Sequence, residues 1–225
     1  MEELFRKDDR HVYRAVPLLE IDWLEHGFGS RASAGWMSEP DPISLKQVHS
    51  DVCVYADGRA RGRIGEGDAL ITDVPGAAIA VRTADCIPIL LVDTRKRTVA
   101  AVHAGWRGTA QGIAAKAVGG MVDRFGSHPR DILAAVGPGI GLCCYEVGEE
   151  VAVQFRDMFR ERSDWAGPTR VDLAEANRRQ LVSAGLAKDA VWAAGLCTVC
   201  LAQEFFSWRR EREKAGRMVS GIRIK

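Results

Sequence analysis

No stretch of this chain is apolar for long enough to cross a bilayer. The apolar run at residues 87–92 is six residues long and holds Pro88, whereas a spanning helix needs about 20. Charge of one sign is missing too. Thirty-one Lys and Arg stand against 30 Asp and Glu, a net charge of +1, so nothing electrostatic recruits nucleic acid or an anionic membrane. No repeat, low-complexity tract or Ser/Pro/Gly-rich linker divides the 225 residues, and residues 1–225 read as a single domain. The opening Met1-Glu2-Glu3-Leu4-Phe5-Arg6 is charged and lacks the apolar centre of a secretory signal. A cytoplasmic setting is therefore expected, with the six cysteines as reduced thiols and not a disulfide framework.

What is present is the composition of an ordinary globular protein, 47% apolar and 27% charged, able to bury a full core. Residues 52–56 and 77–82 have the apolar, partly β-branched character of strands. Residues 87–92 are apolar on both faces, as in a strand buried between layers. Residues 93–97 read as a polar turn and 98–102 as a returning strand that delivers His103 at its end. A helix is predicted over 109–125, with Thr109 as N-cap, an apolar stripe of Ala114, Val118, Met121, Val122 and Phe125, and Gly126 as its stop. A strand at 132–136 leads into the glycine-rich 137–141. Helices follow at 147–159 and from the capping-box-like Asp172-Leu173-Ala174-Glu175 to about residue 183. Strands and helices mix without strict alternation, which predicts an α+β fold of layered mixed sheets flanked by helices.

Three residues stand in short patterned segments: His49 in Lys46-Gln47-Val48-His49, Cys86 in Thr83-Ala84-Asp85-Cys86, and His103 in His103-Ala104-Gly105-Trp106-Arg107-Gly108. Two imidazoles and a thiolate suit a tetrahedral zinc whose fourth position is left to water, the arrangement of a catalytic site. Their spacing fits no compact zinc finger, so they must converge through the fold. The alternative is three unrelated core or surface residues.

Other residues carry two readings each. Asp68 is either a turn residue before a strand or an acid that orients His49 or His103. Asp85, in an extended segment, points away from Cys86 and is a structural carboxylate or a site residue. Arg107, on a glycine-flanked turn ahead of the predicted helix, suits an oxyanion such as phosphate, or else a surface ion pair. Gln47 shares a strand face with His49 and can hydrogen-bond substrate, or is an ordinary polar strand residue. Cys143 and Cys144 follow the glycine-rich loop, where one lines the pocket or both are small buried hydrophobes. Cys197-Thr198-Val199-Cys200 has C-x-x-C spacing, but with no second such pair in the sequence core packing is preferred. Phe205-Phe206-Ser207-Trp208 reads as core, with Arg209 and Arg210 at the surface or pocket rim.

Seven blocks in order resemble one family: Lys46-Gln47-Val48-His49, Gly67-Asp68-Ala69-Leu70-Ile71-Thr72, Thr83-Ala84-Asp85-Cys86, His103-Ala104-Gly105-Trp106-Arg107-Gly108, Gly137-Pro138-Gly139-Ile140-Gly141 through Cys143-Cys144-Tyr145-Glu146-Val147, Phe205-Phe206-Ser207-Trp208-Arg209-Arg210, and Gly216-Arg217-Met218. It is the polyphenol oxidoreductase or laccase-domain family, whose members are also described as zinc-dependent purine nucleoside phosphorylases and, in bacteria, as peptidoglycan-editing factors. The resemblance implies zinc on His49, Cys86 and His103, a pocket role for Cys143, and Arg31 as the basic residue after His26-Gly27-Phe28. It further implies phosphorolysis of purine nucleosides such as adenosine and inosine, with methylthioadenosine cleavage and adenosine deamination alongside. Nucleoside and phosphate are the implied partners. One departure is that the link between Arg31 and Lys46 is short and lacks the family's Asn-containing segment, which bears on Arg31.

Three rivals remain at this level. One is hydrolysis of a peptidoglycan precursor, and another a zinc-stabilised binding module, which needs a closed fourth ligand. Copper-dependent phenol oxidation ranks last among the enzymes, because one His/Cys/His set cannot supply several coppers.

Overall fold

Two large sheets, two two-stranded ones and a layer of helices build the molecule, described here from a computed structural model over residues 4–38, 41–165 and 169–225. Met1, Glu2 and Glu3, cited above for their charge, and Glu39 and Pro40 of the short link lie outside the described residues. The first sheet has five strands, in the order Phe5–Lys7, Tyr13–Ala15, Leu24–Phe28, Met218–Ile224, Ala78–Thr83. Every neighbouring pair in it is antiparallel. The second has six, in the order Val191–Ala193, Ile132–Val136, Ile87–Asp93, Thr98–Ala104, Ala69–Thr72, Cys53–Tyr55. Its inner pairs are antiparallel and its outermost pairs parallel. The fold is mixed α+β, as the sequence indicates.

The apolar runs explain the layering. Side chains alternate along a strand, so a strand covered on both faces must be apolar throughout. Ile87, Ile89 and Leu91, with Ala100, Val102 and Ala104 of the neighbouring strand, pack against Ala114, Ala117, Val118 and Met121 of the helix Ile113–Phe125. Their alternates Leu90, Val92, Val99 and Ala101 pack against Ile79, Val81, Ile222 and Ile224 of the five-stranded sheet. Each such Ile or Leu is fully or almost fully buried, a burial that contributes about 1.5–3 kcal/mol.

The helical segments differ from expectation at two points. The predicted helix over 109–125 is two helices, Trp106–Ala110 and Ile113–Phe125. Gly112 between them has φ +81°, a left-handed conformation that interrupts the helix and that glycine adopts without penalty. Thr109 is therefore inside the first helix and not an N-cap. Its buried hydroxyl instead accepts from Asn177 Nδ2 at 3.0 Å. The stop at Gly126 is as expected, with φ +64°. The predicted helix over 147–159 is a single α-turn, Glu149–Ala152, continued as 3-10 helix over Val153–Phe159. Asp172 caps Leu173–Ser183, accepting from Glu175 N at 2.9 Å. No helix of the described residues is long and apolar enough to cross a membrane.

Candidate metal centre and active-site cavity

Strand parity puts the chemistry on one face. Val99 and Ala101 face the five-stranded sheet, so His103, two residues further along the strand Thr98–Ala104, points to the same side. It lies within the strand and is buried, not beyond its end as the sequence suggested. Val102 pairs with Ala69, which sets Asp68 opposite His103, and His103 N donates to Asp68 O at 2.7 Å. Cys86 stands immediately before the strand Ile87–Asp93, whose Pro88 pairs with His103.

His49 arrives on a separate loop. The strand Ser44–Lys46 ends before it, and His49 has φ +60°, a left-handed conformation uncommon for a non-glycine residue. The buried Asp68 carboxylate holds that loop, accepting from His49 N at 3.1 Å, Ser50 N at 2.6 Å and Ser50 Oγ at 2.7 Å. The same carboxylate accepts from His103 Nδ1 at 2.8 Å, which leaves His103 Nε2 free to face the centre.

The donor atoms of His49, Cys86 and His103 lie within 4.8 Å of one another. His49 Nε2 is 3.8 Å from Cys86 Sγ, and the two imidazoles meet edge-on with centroids 5.0 Å apart. Gly105 keeps this space open, because a Cβ there would lie 2.7 Å from His49 Cδ2 and 3.1 Å from Cys86 Sγ. Among the described residues no fourth Cys, His, Asp or Glu joins the group. Two imidazoles and a thiol with an open fourth side fit a borderline divalent cation.

The electrostatics favour ionised ligands. Burial pushes the Cys86 thiol up, but the neighbouring His103 and His49 outweigh it and hold Cys86 below the usual thiol range. Burial also disfavours charge on Asp68, yet hydrogen bonds from His103 and Ser50 lower its carboxyl to about 2.

A cavity of about 800 Å³ opens over these residues. Seven basic side chains line it (Lys46, Arg63, Arg82, Arg107, Arg209, Arg212 and Arg217) against one carboxylate, Asp85. Among the described residues the guanidiniums of Arg63, Arg82, Arg107 and Arg212 make no hydrogen bond or ion pair. Arg107 lies over the Trp106 ring at 4.3 Å. It sits within the first turn of Trp106–Ala110, not ahead of a helix.

The other expected residues are placed as follows. Gln47 lines the cavity, but its amide is engaged with Arg82: Nε2 donates to Arg82 O, and Arg82 N donates to Oε1, both at 2.8 Å. Asp85 lies not in an extended strand but in a bend at φ +84°. Its carboxylate accepts from Thr198 Oγ1 at 2.6 Å, Arg209 N at 2.6 Å and Ser207 Oγ at 3.1 Å, an anchor for the segment that presents Cys86. Arg31 is outside the cavity lining. It donates to Phe205 O at 3.0 Å, pairs with Glu211 and lies over the Phe206 ring. Cys143 is exposed and likewise outside that lining, with Sγ 3.5 Å from Cys200 Sγ.

Several lining residues were not singled out from sequence. Trp208, read as core, is 41% exposed and forms a cavity wall. Ser207 caps the short helix Trp208–Glu211 by accepting from Arg210 N, and this turns Trp208 outward. Tyr145 is a second aromatic wall, with Arg209 5.4 Å from its ring centroid. Both stand in the blocks quoted above, which was the available signal.

The family described as multi-copper polyphenol oxidoreductase laccase matches residues 30–225, and the chain belongs to that family. A purine nucleoside phosphorylase of Deinococcus radiodurans is 43% identical over 192 residues, 83% of this chain and 72% of that protein. One of Bacteroides thetaiotaomicron is 41% identical over 181 residues, covering 77% and 67%. A protein named adenosine deaminase RL5, from an unknown prokaryotic organism, is 42% identical over 81% of this chain and 74% of its own length. Among solved structures, YlmD from Geobacillus stearothermophilus superposes with a TM-score of 0.90 at 28% identity, both chains covered in full.

Proposed function

We propose that the chain is a zinc-dependent purine nucleoside phosphorylase, which converts adenosine or inosine and phosphate to the free base and ribose 1-phosphate. The observation that carries this reading is one cavity that joins an open His49/Cys86/His103 donor set to four uncommitted guanidiniums. A phosphate dianion needs such charge-assisted donors. A purine needs flat apolar walls, and Trp106, Tyr145 and Trp208 line the same space. Zinc, when bound, supplies Lewis acidity toward a substrate oxygen.

The chain's own groups divide the remaining work. Asp68 fixes the His103 tautomer and the His49 loop. Arg107, with Arg82 or Arg212, holds the phosphate that attacks the ribose C1′ as its bond to the purine nitrogen breaks. Asp85 and Gln47 hold the cavity walls in place. The names of relatives above 40% identity support the same reaction class. The open coordination side speaks for a catalytic rather than a closed structural metal.

Adenosine deamination is a second activity at this site, favoured by the relative named adenosine deaminase. The deciding experiment incubates the purified chain with adenosine, with and without phosphate, and identifies products by mass. Adenine and ribose 1-phosphate formed only with phosphate support phosphorolysis. Inosine without phosphate supports deamination, and neither product removes the nucleoside reading.

A further inference from the structure

A second group of metal-type donors stands apart from the cavity. Cys143, Cys144, Cys197 and Cys200 bring four sulfurs within 4.8 Å of one another. Cys200 Sγ is 3.5 Å from both Cys143 Sγ and Cys144 Sγ, across more than fifty residues of sequence. The missing partner of the C-x-x-C pair is thus the adjacent Cys143-Cys144, and core packing does not describe these residues: Cys143 and Cys200 are exposed, and only Cys197 is buried.

The spacing distinguishes the chemistries that four thiols can serve. A disulfide needs sulfurs at about 2.05 Å, and all six cysteines are free. A tetrahedral ion with metal–sulfur bonds of about 2.3 Å sets its sulfurs roughly 3.8 Å apart, which falls within the spread seen here.

The backbone is also arranged for thiolate. Gly141 N donates to Cys197 Sγ at 3.3 Å, and the backbone amides of Cys200 and Val199 favour the thiolate form of the same residue. Two guanidiniums bring positive charge alongside. Arg209 donates to the carbonyls of Cys144 and Glu146, and Arg210 to those of Thr198 and Val199.

We propose that Cys143, Cys144, Cys197 and Cys200 form a closed tetrathiolate site for a borderline divalent cation, zinc above all, that fastens the 137–145 loop to the 197–200 turn. Loading involves no oxidation. Four metal–sulfur bonds form, the thiol protons pass to solvent, and the ion sheds its waters. The site is independent of the phosphorylase reading, but it braces the same cavity. Thr198 Oγ1 and Ile140 N, one from each fastened segment, both hydrogen-bond Asp85, next to Cys86. A fully coordinated ion has no position for substrate, so the role is structural.

The test uses the full chain carrying Cys86→Ala, in which the His49 and His103 centre has lost its thiolate. Purified with reductant and loaded with zinc alone, this variant retains about one zinc per chain after gel filtration. Cobalt in its place gives the intense sulfur-to-cobalt absorption and visible bands of a tetrahedral thiolate site. Adding Cys143→Ser or Cys200→Ser, at solvent-facing positions, brings retained zinc close to zero and abolishes the cobalt spectrum. The proposal is overturned by a Cys86→Ala chain that binds no zinc, by serine variants that keep theirs, or by a thiol count showing the four cysteines paired as disulfides in freshly purified protein. The cobalt spectrum of the intact quartet decides the matter even where a serine variant does not fold.

Discussion

Asp68 grips both histidines of the candidate centre, taking the His103 Nδ1–H at 2.8 Å and the His49 backbone N–H at 3.1 Å. Its carboxyl is lowered to about 2, so Asp68 is the acceptor and His103 the donor at neutral pH. When a metal displaces the other ring proton, this bond fixes His103 with Nε2 as the ligand atom. One carboxylate therefore sets the ring of one ligand and the loop of another.

Asp68→Asn should weaken this control without emptying the space. An amide can accept from His103, but it presents one oxygen where the carboxylate presents two. The expected loss in zinc affinity at this centre is about 10–100-fold, typical when a partner that orients a ligand is removed. A chelator-competition titration measures it, with the cysteine quartet kept intact in both proteins as a common background. Equal affinities would reduce Asp68 to a loop anchor.

The metal-free centre should behave as a thiolate–imidazolium pair over a defined pH range. Burial raises the Cys86 thiol, but His103 and His49 bring it down to about 6. Burial lowers His103, but Cys86 and Asp68 raise it to about 9. The folded thiol pKa lies below its unfolded value of 9.0, so the stability it contributes is full above that pH and is lost as pH falls through about 6. The folded His103 pKa lies above its unfolded 6.5, so its contribution is full below 6.5 and is lost as pH rises through about 9. In chelator-stripped protein, alkylation of Cys86 by iodoacetamide, followed at its own peptide by mass, should rise with a midpoint near 6. A midpoint at the ordinary thiol value would remove the ion pair.

Arg107 is the cleanest probe of anion binding, because among the described residues its guanidinium makes no hydrogen bond or ion pair and lies over the Trp106 ring. Arg107→Ala leaves no buried ion-pair partner behind. It removes a charge-assisted contact of about 1.5–3 kcal/mol, which corresponds to a rise in the KM for phosphate of about ten- to a hundredfold. The KM for nucleoside should change far less. Steady-state kinetics with each substrate varied in turn separates the two, and an unchanged KM for phosphate would assign the anion to Arg82 or Arg212.

How much of this was legible in the sequence depends on the range of the contact. The layering was readable because alternation and continuous burial are local properties: residues 87–92 already have the pattern of a doubly covered strand, and the structure covers Leu90 and Leu91 from opposite sides. The His49, Cys86 and His103 trio was readable from its flanking blocks, although the left-handed His49 and the space reserved by Gly105 were not. Asp68 had two candidate roles because its cross-strand neighbour is set by register, and register emerges only when Val102 meets Ala69. The cysteine quartet was hidden for the same reason, since one adjacent pair and one C-x-x-C pair match no single spacing pattern. Trp208 was misread as core because the turn that exposes it depends on the cap supplied by Ser207.

The two histidines should part company in stability while agreeing in metal binding. His103 is buried and satisfies Asp68, so His103→Ala leaves a buried carboxylate short of one donor and opens a void beside it. A cost of about 1–3 kcal/mol follows. His49 is exposed and sits at φ +60°, a conformation that Asn tolerates far better than most residues. His49→Asn therefore removes an imidazole ligand with little strain and little lost packing. Both variants should lose the zinc of this centre and the turnover that depends on it. Thermal melts of the chelator-stripped proteins should show His103→Ala clearly below the parent and His49→Asn close to it. The stripping matters, since bound zinc would itself raise the parent's Tm. Equal melting of the two variants would mean that the His103–Asp68 bond contributes nothing to the fold, and turnover surviving in either would remove the metal from the reaction.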